Sequence, residues 1–172
     1  MQILNLHGLN ESCYNYNYNM IKSGIDDAEI QIFDLDLKHI KPTAFIHDCM
    51  LYEYDIVVAN CFGGVYGYIV GGLQCIPTIL INPMIPPMNY IDQLGKNYKF
   101  KNQLPNIWNQ YSGTNKKIHL LLGDNDVTTD PVLTQRSLNY ISVNHFEEGH
   151  TPVGDMFEYV LVNKIKGLCE NS

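Results

Sequence analysis

The chain has 172 residues, of which 45% are hydrophobic and 17% charged, the composition of one folded domain, residues 1–172, rather than of a disordered segment. Its formal net charge of -7 argues against nucleic acid and anionic membrane surfaces as partners, because an acidic surface repels phosphate groups. The five cysteines have no pairing or zinc-site spacing, and no signal-peptide pattern follows Met1. We therefore expect a cytoplasmic protein with reduced thiols that needs no metal or cofactor.

Six short apolar segments, rich in β-branched residues, are the predicted strands. They are Gln2–Leu6, Glu29–Leu35, Asp55–Ala59, Pro77–Ile81, Lys117–Leu122 and a weaker one, Ile141–Phe146. All are far shorter than the ~18 apolar residues that a membrane span needs. Near-continuous apolar runs of this length are typical of strands that are buried on both faces of a parallel sheet.

Helical stretches separate the predicted strands. They are Tyr14–Gly24, Thr43–Tyr52, Gly63–Leu73, Met88–Leu94, Pro131–Asn139 and Val153–Lys166. This alternation predicts an α/β fold with a doubly wound, mostly parallel sheet of about six strands and helices on both faces. The polar stretch from Asn97 to Asn115, which contains Trp108, is interpreted as a surface excursion too short to form a cap domain.

The residues that directly follow the predicted strands are candidate functional residues, because ligands of parallel sheets bind at the carboxyl ends of the strands. Cys61 follows the third strand and His150 follows the sixth. Asp124 and Asp126 both follow the fifth, and the pattern around Gly123 favours Asp126 as the functional carboxylate. A thiol, a carboxylate and an imidazole in this chain order predict a nucleophile, an orienting acid and a base.

The segment from Ala59 to Gly63 (ANCFG) resembles the G-x-S-x-G nucleophile elbow of α/β-hydrolases, with alanine at the first glycine and cysteine at the serine. Small residues flank the nucleophile because the chain turns sharply from strand to helix at this point. The helix after Cys61 is expected to direct free N–H groups and its positive dipole end towards the sulfur, which favours the thiolate.

From Gln2 to about Phe157 the chain resembles the small, cap-less bacterial esterases of the YqiA-like group. The matching stretches are LHGLNES at 6–12, INPMIPP at 81–87, YIDQLG at 90–95 and EEGH at 147–150. The resemblance implies an α/β-hydrolase fold and esterase activity on a small acyl substrate. It also implies a triad of Cys61, His150 and Asp126, and an oxyanion hole formed by the backbone N–H groups of Leu9 and Phe62. The cysteine itself resembles the nucleophile of dienelactone hydrolases.

Three functions use this set of residues. The first is hydrolysis of carboxylic esters, thioesters or lactones through an acyl-enzyme on Cys61. The second is ligand or partner binding by a catalytically inactive relative, in which Cys61 is only a small buried side chain. The third is acyl transfer to an acceptor other than water. The retained thiol, acid and imidazole favour catalysis, whereas His7 is expected to be structural and the other four cysteines inert.

Overall fold

The computed structural model describes residues 1–9, 11–33, 40–95 and 98–170. Its six strands form one sheet in which all neighbouring strands are parallel, in the order β2-β1-β3-β4-β5-β6. The strands are β1 Gln2–Leu6, β2 Glu29–Ile32, β3 Ile56–Asn60, β4 Thr78–Ile81, β5 Ile118–Gly123 and β6 Ser142–Phe146. The predicted six-stranded parallel sheet is confirmed. The end of the second predicted strand, residues 34 and 35, lies outside the described residues.

Six α-helices pack on the sheet. They are α1 Tyr16–Gly24, α2 Pro42–Cys49, α3 Gly63–Gln74, α4 Leu104–Tyr111, α5 Pro131–Ser137 and α6 Asp155–Cys169. One apolar core forms against α1 and α6 around Ile21 and Phe157, and a second core forms on the other face around Phe45 and Tyr66. The predicted helices on both faces are therefore confirmed. None of the helices in the described part of the chain is long and apolar enough to cross a bilayer.

The stretch interpreted as a surface excursion contains a helix, and that interpretation was wrong. Helix α4 buries Leu104, Ile107 and Trp108 in the core beside α3, and Pro105 occupies its first turn. Apolar residues three and four positions apart give this helix one buried face, which the many polar residues around it conceal in the sequence. Asn97, where the predicted excursion begins, lies outside the described residues.

The prediction of a helix at Met88–Leu94 is also wrong, because this segment contains no α-helix. The chain forms a short 3-10 helix at Pro87–Tyr90 and continues in turns to Gly95. Its backbone hydrogen bonds here all join residues three apart, as from Asn89 N to Pro86 O. The Tyr90 hydroxyl accepts a hydrogen bond from Asp130 N, which ties this segment to the loop before α5.

The strand order reverses direction at β1. Strand β2 lies on one side of β1, and the chain then continues on the other side from β3 to β6. In doubly wound sheets a ligand crevice forms outside the carboxyl ends of the strands at this reversal. The loop from His7 to Leu9 begins at this end of β1, and Cys61 is the first residue after the neighbouring strand β3.

Candidate active site

Cys61 lies in a strained turn between β3 and α3. Its φ of 51° is in the left-handed region, which residues other than glycine rarely adopt. The chain can turn this sharply because Gly63 has no side chain: a Cβ there would be 2.4 Å from His7 O and 2.8 Å from Leu6 O. This is the strained strand-to-helix geometry that exposes a nucleophile at the end of a sheet.

Ala59 occupies the position of the first glycine of the elbow pattern, and Gly67 of α3 leaves space for its side chain. A Cβ on Gly67, one turn into α3, would lie 2.5 Å from the Cβ of Ala59. Because Gly67 has no side chain, α3 packs on β3 as closely as it would if position 59 were a glycine. This explains how ANCFG forms the same turn as the G-x-S-x-G pattern.

The loop after β1 covers the Cys61 side chain, which is only 4% exposed. A Cβ on Gly8 would lie 2.6 Å from the Cys61 Cβ and 3.1 Å from its sulfur, so only glycine fits against the thiol.

Leu9 and Phe62 are the residues whose backbone N–H groups are expected to form the oxyanion hole. Leu9 follows Gly8 in this loop and packs against the core, and Phe62 is the N-cap of α3. The first backbone N–H groups of a helix have no partner within the helix. His7 is buried and its Nδ1 is 2.8 Å from Gly8 O.

His150 and Asp126 meet at the carboxyl ends of β5 and β6. Nδ1 of His150 is 2.8 Å from Oδ2 of Asp126, and the side chains are 19% and 0% exposed. Asp126 also accepts hydrogen bonds from Thr128 N at 2.7 Å and from Thr129 N at 3.0 Å, and the Thr129 hydroxyl donates to it. Burial alone would raise the pKa of Asp126, but hydrogen bonds from His150, Thr129 and Thr128 lower it. The carboxylate therefore stays ionised beside the imidazole.

The imidazole of His150 lies between this carboxylate and the thiol. Burial alone would lower the pKa of His150, but Asp126 and the adjacent Cys61 raise it to about 10. Nδ1 is occupied by Asp126, and Nε2 is buried without a hydrogen-bond partner among the described residues. Nε2 is thus the ring nitrogen that is left to exchange a proton with Cys61.

Asn82, directly after β4, holds the His150 loop in place, and sequence analysis assigned it no role. Its amide donates to His150 O at 2.8 Å and to Gly149 O at 3.1 Å, and its carbonyl oxygen accepts from Gly123 N at 2.7 Å. Asn82 is buried and has a φ of 42°. The only sequence signal for this anchoring role was the position of Asn82 between a strand and Pro83. Asparagine suits such a position because it tolerates a left-handed φ.

Asp124, the alternative carboxylate, pairs with a different histidine. Its Oδ1 is 2.6 Å from Nδ1 of His145, for which we predicted no role, and both side chains are exposed. Asp126 rather than Asp124 is therefore the carboxylate beside His150.

The comparisons with known proteins identify the fold. No protein-family model matches the chain, and no curated protein sequence matches it. Est1E from Butyrivibrio proteoclasticus has a similar structure, with a TM-score of 0.71, 11% identity and coverage of 98% of this chain and 88% of that one. The chain has the α/β-hydrolase fold. No cap domain is inserted in the described residues.

Two further solved structures share this fold. The Paleococcus ferrophilus monoacylglycerol lipase has a TM-score of 0.71 and 12% identity, with coverage of 99% of this chain and 95% of that one. A thioesterase domain from the curacin biosynthetic pathway has a TM-score of 0.61 and 11% identity, with coverage of 96% and 90%. The α/β-hydrolase fold occurs in both with almost no shared sequence. The YqiA-like resemblance remains a hypothesis about a narrower group.

Proposed function

We propose that the protein hydrolyses carboxylic esters, thioesters or lactones of small acyl substrates through Cys61, His150 and Asp126. One observation carries the proposal. A buried imidazole, oriented by a buried carboxylate at 2.8 Å, keeps its other nitrogen unpartnered next to a thiol on a strained turn. A purely structural histidine would have both ring nitrogens satisfied, since a buried polar atom without a partner costs about 1–3 kcal/mol.

The first half-reaction forms an acyl-enzyme. His150 takes the proton of Cys61, and the thiolate attacks the carbonyl carbon of the substrate. The carbonyl oxygen becomes an oxyanion, which accepts hydrogen bonds from the backbone N–H groups of Leu9 and Phe62 in this proposal. The bond to the leaving group then breaks, and the imidazolium of His150 donates its proton to the departing oxygen or sulfur. Asp126 stabilises the imidazolium and fixes the orientation of the ring.

The second half-reaction releases the acid. His150 accepts a proton from water, and the resulting hydroxide attacks the thioester carbon of the acyl-enzyme. The carbon–sulfur bond breaks, and the Cys61 thiolate leaves beside the imidazolium of His150. The raised pKa of His150 favours the imidazolium that forms when the ring takes the proton of Cys61. In the acyl-enzyme the sulfur is uncharged, so one of the groups that raise this pKa is gone and the neutral ring can serve as the base for water.

Mass spectrometry of the intact protein tests the proposal. Brief incubation with a panel of activated acyl esters and thioesters should add one acyl group to the wild-type chain and none to Cys61→Ala. Cys75→Ala removes an exposed thiol and should leave both acylation and turnover unchanged. Turnover by Cys61→Ala would refute the cysteine mechanism. Absence of acylation and turnover in the wild type would favour the inactive, ligand-binding relative.

A further inference from the structure

A cavity of about 260 Å³ opens beside His150 on the β1–β3 side of the site. Most of its lining residues have carboxamide or hydroxyl side chains, among them Ser12, Asn15, Asn17 and Asn60. No lysine or arginine is among the described residues that line it, and Glu11 is its one carboxylate. The cavity therefore offers hydrogen-bonding groups and one negative charge beside the apolar parts of its lining.

No cation among the described residues neutralises the charge of Glu11. Its Oε2 accepts hydrogen bonds from Gly8 N at 3.1 Å, from the Asn60 amide at 2.9 Å and from the Asn15 amide at 3.4 Å. All three donors are neutral N–H groups. In the described ranges no basic side chain forms an ion pair with Glu11. A fixed negative charge thus remains available to a ligand in the cavity.

Glu11 lies close to the nucleophile. The point where a Cβ on Gly8 would be is 3.2 Å from Oε1 of Glu11 and 3.1 Å from the sulfur of Cys61. A substrate bound with its carbonyl carbon at the sulfur would therefore have its neighbouring atoms within reach of this carboxylate. The carboxylate also disfavours a second negative charge on a substrate at this position.

Buried amides hold the carboxylate in one position. Asn60 precedes Cys61 in the elbow, and its Oδ1 accepts from the amides of Asn15 at 3.0 Å and Asn17 at 3.2 Å. Asn60 and Asn17 are both buried. Connected networks of this kind rigidify the groups that they contain. Glu11 is therefore preorganised and loses little freedom when a charged group binds.

We propose, on the basis of the hydrolase function above, that this cavity binds a positively charged group on the substrate. The preferred substrates are esters or thioesters with an ammonium group a few bonds from the reacting carbonyl. A cation at about 6 Å from the carboxylate is attracted to it, so a preference of about tenfold over an uncharged group is expected. The net charge of -7 attracts the same ligands over longer distances.

Glu11→Gln separates charge recognition from positioning. The glutamine carbonyl oxygen can accept the same N–H groups, so the loop at Gly8 keeps its support while the charge is lost. Glu53→Gln is the matched control. Glu53 is exposed and precedes β3, whereas Cys61 follows it, so this variant changes the net charge equally at the opposite end of the sheet. Ser12→Lys, at an exposed position of the cavity, brings in a cation without touching the buried network.

The experiment measures modification of Cys61 at neutral pH and low salt by methanethiosulfonates with a trimethylammonium, an uncharged or a sulfonate ethyl group. Peptide mapping gives the rate at Cys61. In the wild type and Glu53→Gln the cationic reagent should react about tenfold faster than the neutral one, and the anionic reagent more slowly. Glu11→Gln should reduce the preference to less than about threefold. Ser12→Lys should abolish or reverse it.

Hydrolysis of a matched pair of neutral and cationic esters distinguishes the two proposals. If both esters are hydrolysed but the reagents show no charge preference, or if Glu11→Gln keeps the wild-type preference, the cation site is refuted and the hydrolase stands. If neither ester is hydrolysed but the preference depends on Glu11, the cation site stands and the hydrolase function is refuted. Should Glu11→Gln fail to fold, an unchanged preference in Ser12→Lys would refute the cation site.

Discussion

Two histidine–aspartate pairs lie next to each other at the carboxyl ends of β5 and β6, and the difference between them is the reason for placing only one of them in the proposed active site. Each joins Nδ1 of a histidine to a carboxylate of the loop after β5, at 2.8 Å for His150–Asp126 and 2.6 Å for His145–Asp124. The side chains of the first pair are 19% and 0% exposed, and those of the second are 39% and 55% exposed. Contact geometry alone therefore does not distinguish them.

Burial and the third group make the difference. Water screens the exposed pair, and such pairs contribute about 0–1 kcal/mol. Around His150 most of the solvent is excluded, and both Asp126 and Cys61 raise the pKa of the imidazole against the effect of burial. A histidine–carboxylate contact becomes chemically useful when it is shielded from water and the second ring nitrogen faces a group with which it can exchange a proton.

The largest effect is expected when the carboxylate of each pair is replaced, in turn, by an amide. Asp126→Asn should lower turnover by roughly 10³- to 10⁴-fold, because an amide neither orients the ring in the correct tautomer nor stabilises the imidazolium. Asp124→Asn should change turnover by less than about twofold, since its partner is exposed. Steady-state hydrolysis of an activated ester measures both. If Asp124→Asn is the damaging change, the assignment of the triad acid is wrong.

The next effect concerns the reactivity of Cys61. Iodoacetamide at neutral pH should modify Cys61 before Cys49, whose pKa is raised to about 12 by burial and by Asp48. His150→Ala should slow modification of Cys61 by roughly tenfold or more, because the thiolate loses its imidazolium partner. His145→Ala should leave the rate unchanged. Peptide mapping after limited labelling gives these rates, and equal labelling of Cys61 in both variants would show that its thiol only fills space.

A smaller effect is expected at Asn82, which supports only the buried pair. Asn82→Gly keeps the left-handed backbone but removes the hydrogen bonds to Gly149, His150 and Gly123, at a cost of about 1–3 kcal/mol. Turnover should fall with stability, because the His150 loop loses its anchor. Cys75→Gly is the control, since Cys75 also has a positive φ but lies far from the site. Thermal unfolding and kcat of both variants test this, and equal effects would contradict it.

The smallest effect is a pH dependence of stability. A histidine whose pKa rises on folding from 6.5 to about 10 stabilises the folded state fully below about pH 6.5, and this contribution is lost as the pH rises through 10. The difference in Tm between wild type and His150→Gln should therefore shrink between pH 6.5 and 10. In Cys61→Ala the loss should begin at the same pH but be complete at a lower pH, because one of the groups that raise the folded-state pKa is gone. A Tm difference that grows with pH would contradict the assignment.

Much of the fold could be predicted from the sequence, because buried parallel strands leave uninterrupted apolar segments. The positions of Cys61 and His150 followed from the same rule, since Cys61 directly follows β3 and His150 lies in the loop after β6. Helix α4 was missed because its buried face is only three residues wide within a polar stretch. Asn82 and Glu11 were missed because a buried polar side chain and an exposed one look alike in sequence. Their contacts depend on loops that only the folded chain brings together.

The proposed nucleophile and the proposed base lie in parts of the sheet that differ in local stability. Cys61 follows β3, which has a neighbour on each side and is fully buried, whereas His150 follows β6, an edge strand that is largely only half-buried. Edge elements open locally at a lower free-energy cost than central strands. Such an opening would withdraw the imidazole while β1 to β5 remain paired, so the proposed activity should be lost on heating before the sheet itself melts.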